Sequence, residues 1–266
     1  MNSLPTYFIS HGGGPWPWME ELSRGKYSKL DVALRAMPQD LEEQPKAVLI
    51  ITAHWEEKEF VVGSSPAPGM IYDYGGFPPH TYQVKYDAPG APELAKKVHG
   101  LLQEAGLASR LDAERGYDHG TFVPLAVIFP KADVPVVQLS IRKDYDPKTH
   151  IAMGEALASL RNEGVLIIGS GLSYHNLKQF GPQASTPSKE FDAWLQDAVV
   201  RSDANQRINK LMDWVAAPSA RLCHPREDHL VPLFVAVGAA KAEKAVCCYH
   251  EEDFAGGLAV SSFRFG

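Results

Sequence analysis

The sequence has few cysteines, and this shortage excludes the disulfide-stabilised class of protein. Its 266 residues include only three, which are too few and too irregularly spaced to form a disulfide framework. Cys247 and Cys248 are adjacent, and on a strand they would point to opposite faces. Free thiols are typical of a reducing compartment. The cysteine content therefore predicts free thiols and a cytoplasmic protein.

Long apolar runs and excess positive charge are also missing. No apolar stretch approaches the roughly 18 residues that a membrane-spanning helix needs. No basic segment precedes an apolar core near residue 1, so we expect no signal peptide. The net charge of -6 offers no basic surface for nucleic acid. These absences predict a small-molecule ligand, with no nucleic acid and no membrane, and they leave the oligomeric state open.

Apolar runs and helical patterns alternate through the first 170 residues, which predicts an α/β fold. We expect strands over residues 6–10, 47–53, 58–63, 135–141, 165–169, 244–250 and 257–264. We expect helices over 28–36, 92–105, 120–130, 148–162, 188–213 and 228–241. No linker and no repeat divides the chain. We therefore predict a single domain over 1–266, with a mixed central sheet flanked by helices on both faces.

Three histidines, His11, His54 and His175, each follow shortly after one of the expected strands. In an open α/β sheet, ligands gather outside the carboxyl ends of the strands. Imidazoles delivered from three strand ends can therefore converge on one point. This placement predicts a mononuclear metal site built from residues that lie far apart in the sequence.

Two further histidines, His119 and His229, each directly follow an aspartate at the expected start of a helix. Function concentrates at the ends of elements. Any one of the five could be a structural histidine, but that interpretation is much weaker for all five together. Other histidines have simpler structural interpretations in a loop or a helix: His80, His99 and His150.

The motifs argue against two common enzyme classes and leave the metal open. The glycines after His11 are similar to the oxyanion-hole motif of lipases, but no Gly-x-Ser-x-Gly elbow accompanies them. No phosphate-binding loop is present either. Imidazole ligands suit Zn, Fe, Cu and Ni. From the residues alone, the site could hold a hydrolytic zinc ion or an oxygen-activating Fe(II) ion.

Eight short motifs, taken in order and spacing, are more specific than any one of them. They are His11-Gly-Gly-Gly-Pro15, Thr52-Ala-His-Trp55, Tyr72-Asp-Tyr-Gly-Gly-Phe-Pro78, Asp118-His-Gly-Thr121, Gln138-Leu-Ser-Ile141, Gly169-Ser-Gly171, His175-Asn-Leu177 and Asp228-His-Leu-Val-Pro-Leu233. Through these motifs the chain resembles the class III extradiol ring-cleavage dioxygenases, in the DOPA 4,5-dioxygenase branch. The resemblance covers nearly the whole length.

The resemblance implies which residues bind the metal. His11 and His54 would be two ligands, and His229 would be the third. Related protocatechuate-type enzymes have a carboxylate as the third ligand. Glu227 and Asp228 therefore stay open as alternatives at that position.

The resemblance also implies roles for the residues around the metal. His175 would be the acid–base residue, and His119 a second catalytic residue that lines the pocket. Asp118 would fix the tautomer of His119. Tyr72 and Phe77, in the aromatic loop 71–82, would contact the substrate, although both could instead pack on the core as loop anchors.

The implied activity is the extradiol cleavage of a catechol such as DOPA, with insertion of both atoms of O2. The resemblance implies Fe(II) for activity. Zn(II) prefers the same imidazoles and could occupy the site in purified protein. An alternative is a zinc-binding protein of the same fold with a hydrolase-like or non-catalytic binding role. The sequence does not name the catechol or the metal loaded in the cell.

Overall fold

The computed structural model describes residues 3–266, in which eight strands form one mixed sheet. The strands are β1 (Thr6–Ser10), β2 (Ala47–Glu57), β3 (Phe60–Gly63), β4 (Ser109–Asp112), β5 (Val136–Arg142), β6 (Val165–Gly171), β7 (Ala245–Phe254) and β8 (Leu258–Phe265). Their order across the sheet is β4-β3-β5-β2-β6-β1-β8-β7. Strands β2, β6 and β1 are adjacent and parallel, so their carboxyl ends lie at one edge.

Eight α-helices connect these strands within the described residues. They are α1 (Ser28–Ala36), α2 (Pro92–Glu104), α3 (His119–Ile128), α4 (Pro147–Leu157), α5 (Ser185–Gln196), α6 (Ala204–Met212), α7 (Ala220–Cys223) and α8 (Val231–Ala240). An aspartate side chain caps the amino end of α3, α4 and α6, where it accepts a backbone N–H that the helix leaves unpaired.

None of the helices in residues 3–266 is both long enough and apolar enough to cross a membrane.

Helices cover both faces of the sheet, as neighbouring residues of β6 show. A Cβ atom on Gly169 would lie 2.3 Å from the carbonyl oxygen of Pro232 in α8. The hydroxyl of the next residue, Ser170, donates to the carbonyl of Gly120 in α3. Because successive strand residues point to opposite faces, α8 and α3 pack on opposite sides. The predicted fold class, α/β with a mixed central sheet flanked on both faces, is confirmed.

The core is centred on β6 and α8. Every residue of β6 is buried, and every residue of α8 is buried as well. A strand covered on both faces needs a continuous apolar run, which explains why β1, β2 and β6 carry such runs. Each fully buried Leu or Phe of α8 contributes about 2 kcal/mol of transfer free energy, so this packing holds the strand ends firmly in place.

The elements differ from the sequence prediction at several places, three of which have a clear reason in the burial or the composition. Strand β4 was not predicted, because its four residues are mostly polar and it lies at the edge of the sheet. Strand β2 continues past the expected end at residue 53, where all its side chains except Trp55 are only partly buried. The helical region 188–213 is broken by a π-type turn over Asp197–Arg201, close to the polar break at Ser202.

Candidate metal centre

Three imidazoles meet at the carboxyl edge of the sheet. His11 directly follows β1, His54 lies in β2, and His229 precedes α8. Nε2 of His54 lies 3.3 Å from Nε2 of His11 and 3.2 Å from Nε2 of His229. One nitrogen from each ring lies within 4.8 Å of the other two. The structure therefore brings together the three histidines for which metal binding was predicted.

These separations fit a single shared ion. Two nitrogen ligands, each about 2.0–2.1 Å from one ion, lie about 3.0–3.4 Å apart at ordinary coordination angles. Burial lowers the pKa of His11 and His54 well below the usual value and lowers the pKa of His229 to about 4. All three rings are thus neutral at pH 7, which is the form that binds metal. Three neutral imidazoles suit a transition metal rather than Mg²⁺ or Ca²⁺.

An irregularity in β2 aims His54 at this point. The pairing of β2 with β5 shifts register between Ile51 and Glu56. Within the irregular stretch, the backbone N–H of His54 donates to Oγ1 of Thr52 at 3.1 Å. Such bulges turn a side chain away from the regular strand direction. His54 is therefore positioned by a bulge inside a long strand, whereas the sequence predicted a position just beyond a strand end.

Carboxylates lie beside the Nδ1 atom of two of the rings. Nδ1 of His229 lies 2.8 Å from Oδ2 of Asp228, and Nδ1 of His54 lies 3.4 Å from Oδ2 of Asp73. A carboxylate at Nδ1 fixes the tautomer and leaves the lone pair of Nε2 free for a metal. Nδ1 of His11 is buried and has no hydrogen-bond partner among residues 3–266.

The orientation of these side chains bears on the third ligand. Nε2 of His229 faces the other two imidazoles, whereas Asp228 lies on the Nδ1 side of that ring. Glu227 instead pairs with Arg221, at 2.5 Å between Oε2 and Nη1. Among Glu227, Asp228 and His229, it is therefore His229 whose free nitrogen, Nε2, lies with the ligand nitrogens of His11 and His54.

His175 and His119 lie beside this cluster. The ring of His175 stacks on that of His229, with 3.4 Å between centroids and 19° between planes. Nδ1 of His175 lies 3.8 Å from Oδ1 of Asp228. The ring of His119, at the start of α3, lies 3.9 Å from the ring of His54. Both predicted catalytic residues are therefore in the same site.

The predicted pairing of Asp118 with His119 is wrong. Oδ1 of Asp118 accepts the hydroxyl of Thr52 at 2.8 Å and the backbone N–H of Thr121 at 3.2 Å, so this carboxylate caps α3. Asp73 is the partner of His119, with 2.8 Å between Oδ1 and Nδ1. The sequence analysis did not predict this role of Asp73. Asp73 is the one acidic residue of the aromatic segment 71–82, and a single carboxylate among aromatic residues could have indicated a functional partner.

A cavity of about 510 Å³ opens over the imidazoles. Its apolar wall is formed by Leu22, Tyr27, Tyr74, Phe77, Leu172, Leu177, Phe180 and Phe254. Tyr72 is not part of this lining. Its hydroxyl donates to the carbonyl of Val84 at 2.7 Å, and its ring packs on Phe122. Tyr72 therefore packs as a loop anchor, the second of the two roles that the sequence leaves open for it, while Phe77 lines the cavity.

The remaining residues singled out by the sequence lie outside the cavity lining. Nδ1 of His99 contacts the hydroxyl of Ser109 at 2.9 Å. His150 is fully buried between the carbonyl of Asp146 and the backbone N–H of Arg142. Within residues 3–266 the three cysteines are free. The structural interpretation of these histidines and the prediction of free thiols both agree with the structure.

Comparison with known proteins gives consistent matches. Residues 5–261 match the family described as the catalytic LigB subunit of aromatic ring-opening dioxygenase. A 4,5-DOPA dioxygenase extradiol from Beta vulgaris is 38% identical, over 99% of this chain and 97% of its own length. The protein of the same name from Portulaca grandiflora is 37% identical, over 98% and 95%. The crystal structure of an uncharacterized protein from Escherichia coli K12 superposes with a TM-score of 0.78 at 27% identity, covering 99% of this chain and all of that one.

Proposed function

The chain belongs to the family of catalytic LigB subunits of aromatic ring-opening dioxygenases, and we propose that this extradiol ring-opening dioxygenase inserts both atoms of O2 into a catechol at a bound metal ion. The convergence of three imidazole Nε2 atoms at one point carries the metal-dependent part of the proposal. In the reaction, the bond beside the two hydroxylated carbons breaks, and both oxygen atoms stay in a ring-opened semialdehyde.

We propose His11, His54 and His229 as the residues that hold the metal, which would be Fe(II) in the active enzyme. Fe(II) supplies the redox chemistry by which O2 reacts with the aromatic ring. The protein keeps the three rings neutral by burial and orients two of them through Asp228 and Asp73. Zn(II) would fit the same nitrogens but has no redox chemistry, so a zinc-loaded sample would be inactive.

His175 is the proposed acid–base residue. It lines the cavity beside His229, and its Nδ1 faces Asp228. Its Nε2 is then free to take a proton from a catechol hydroxyl and to return it later in the reaction. A group placed in this way contributes by general acid–base catalysis, typically by about 10²–10⁴-fold.

The wall of the cavity suits a flat aromatic ring. The ring of Tyr74 lies 5.8 Å from that of His119 and 5.5 Å from that of Phe77, in edge-to-face arrangements. Aromatic side chains prefer such geometry, and they bury a bound ring from water. The volume of about 510 Å³ suits a small molecule. DOPA is the catechol named for the relatives, and it is our proposed first substrate for this chain.

Oxygen uptake by metal-stripped protein tests the proposal. The protein is reconstituted with Fe(II) or with Zn(II) without air and then given O2 and a panel of catechols that includes DOPA. We expect uptake with Fe(II) only, together with a yellow ring-opened product. Stoichiometric metal binding without uptake for any catechol would overturn the proposed reaction and favour a zinc protein with another role.

A further inference from the structure

An ammonium group lies at the apolar wall of the cavity above the imidazoles. Lys26 lines this cavity, and its Nζ lies 5.0 Å from the ring centroid of Phe180 and 5.4 Å from that of Tyr27. Both rings line the same cavity. A cation over an aromatic face is attracted by the ring quadrupole. The two rings therefore favour a position of the ammonium beside the cavity wall, while the residue stays exposed to solvent.

The charge of Lys26 has no anionic partner in the described part of the chain. Five lysines of residues 3–266 pair with carboxylates, and Lys26 is not one of them. Burial lowers the pKa of Lys26, and no carboxylate offsets that effect. Asp73, the carboxylate that lines the cavity, is engaged by His119 and His54. The cavity thus offers a free, partly desolvated positive charge.

The segment that carries Lys26 is packed against the loop that carries the first metal-site histidine. A Cβ atom on Gly13, two residues after His11, would lie 2.8 Å from the hydroxyl of Tyr27. Tyr27 is itself buried, at 4% exposure, and its ring lies 5.4 Å from that of Trp16. This close packing positions the backbone at Tyr27, next to Lys26, whose own exposed side chain lines the cavity.

We propose that Lys26 binds an anionic substituent of the substrate and that the enzyme therefore prefers catechols that carry a carboxylate side chain. The proposal rests on the proposed function, because the two hydroxyl groups must occupy the imidazole end of the cavity. The aromatic wall takes the ring, and Lys26 takes the carboxylate. Partial desolvation strengthens such a pair relative to one in bulk water.

Equilibrium binding tests the preference without turnover. The probes are 3-(3,4-dihydroxyphenyl)propanoate and 4-ethylcatechol, which share the catechol ring and differ in the carboxylate. Their affinities for Zn(II)-loaded protein are compared by calorimetry in the absence of O2, and the values of kcat/KM are compared for Fe(II)-loaded protein. Lys26→Met keeps the apolar stem and removes the charge, and Lys26→Arg restores a charge.

Lys29→Met is the matched control. Lys29 is three residues away and 64% exposed, and its Nζ lies 3.5 Å from Oε1 of Glu251, outside the cavity lining. Its removal changes the net charge by the same amount. We expect Lys29→Met to leave the affinity ratio of the two probes unchanged.

We expect wild-type protein to bind the carboxylated probe more tightly. Lys26→Met should reduce the affinity ratio about three- to tenfold, and Lys26→Arg should restore most of it. Added salt should shrink the ratio in wild-type protein, since ions screen a partly exposed charge. An unchanged ratio in Lys26→Met, or no binding of the carboxylated probe, would overturn the role of Lys26. A Lys26-dependent ratio without oxygen uptake would support that role and refute the proposed reaction instead.

Discussion

Nδ1 of His119 lies 2.8 Å from Oδ1 of Asp73, a residue 46 positions earlier in the chain. The other oxygen of the same carboxylate lies 3.4 Å from Nδ1 of His54. Asp73 therefore links His54, a proposed metal ligand, and His119, which lines the cavity, to the aromatic segment 71–82. Through this single carboxylate, the loop that forms the cavity wall is joined to the candidate metal centre.

Asp73→Asn should weaken both metal binding and turnover. The amide keeps the size of the side chain but loses the charge that bonds Nδ1 of His119 and lies beside Nδ1 of His54. Loss of such a partner typically costs about 10–100-fold in metal affinity or activity. Metal titration and kcat measurements check this, with Asp87→Asn, an exposed site in the same region, as the control. Equal metal affinity and kcat in the two variants would refute the orienting role of Asp73.

His54→Ala should lose the metal. Nε2 of His54 contacts both of the other proposed ligand nitrogens, so its removal leaves two imidazoles. We expect metal affinity to fall by more than the roughly 100-fold that loss of an orienting partner can cause. Metal content after dialysis measures this. His99→Ala is the control, since His99 bonds to Ser109 outside the cavity lining, and full occupancy in His54→Ala would contradict the ligand assignment.

His175→Gln should keep the metal and lose turnover. The glutamine retains bulk against the ring of His229 but cannot act as an acid or a base near neutral pH. We expect kcat to fall by about 10²–10⁴-fold. His175→Ala, measured in parallel, shows whether lost packing alone changes metal content. If either variant turns over at the wild-type rate, another group must move the proton.

Gly171→Ala should disturb the fold and the site together. The new Cβ atom would lie 2.1 Å from the carbonyl oxygen of His229, so α8 and the proposed ligand must shift. Overpacking of this kind costs about 1–3 kcal/mol in the free energy of unfolding. Urea denaturation and metal titration measure the two effects. Gly100→Ala is the control, because its Cβ meets open space on α2 and should be neutral or slightly stabilising.

His150 should make stability depend on pH. Its Nδ1–H donates to the carbonyl of Asp146 and its Nε2 accepts the N–H of Arg142, so the neutral ring is required. Burial lowers its pKa to about 4, below that of the unfolded chain. The contribution is therefore complete above about pH 6.5 and lost as the pH falls towards 4. At pH 5 the loss is about 2 kcal/mol.

Urea denaturation of metal-free protein at pH 7 and pH 5 measures this loss. His150→Gln should show a smaller change in unfolding free energy between the two pH values than wild-type protein does. Other buried histidines titrate in both proteins, so the difference between the two changes isolates His150. Equal changes would show that His150 does not control stability in this range.

Local sequence patterns were sufficient to predict the fold class and the general position of the site. Apolar runs such as 6–10 and 165–169 are local patterns, and burial on both faces of a parallel sheet requires them. Histidines that follow such runs must lie at the carboxyl edge. For this reason His11 and His175 could be placed at the site before any contact was known.

The neighbours that orient those rings depend on contacts between segments that are far apart in the chain. Asp118 is next to His119 in the sequence, but its carboxylate caps α3. Asp73 is distant in the sequence, and the aromatic loop places its carboxylate at Nδ1 of His119. Tyr72 packs as a loop anchor, and Lys26, to which the sequence analysis gave no role, lines the cavity. Segments without a repeating pattern take their conformation from long-range contacts, which no local arrangement of residues encodes.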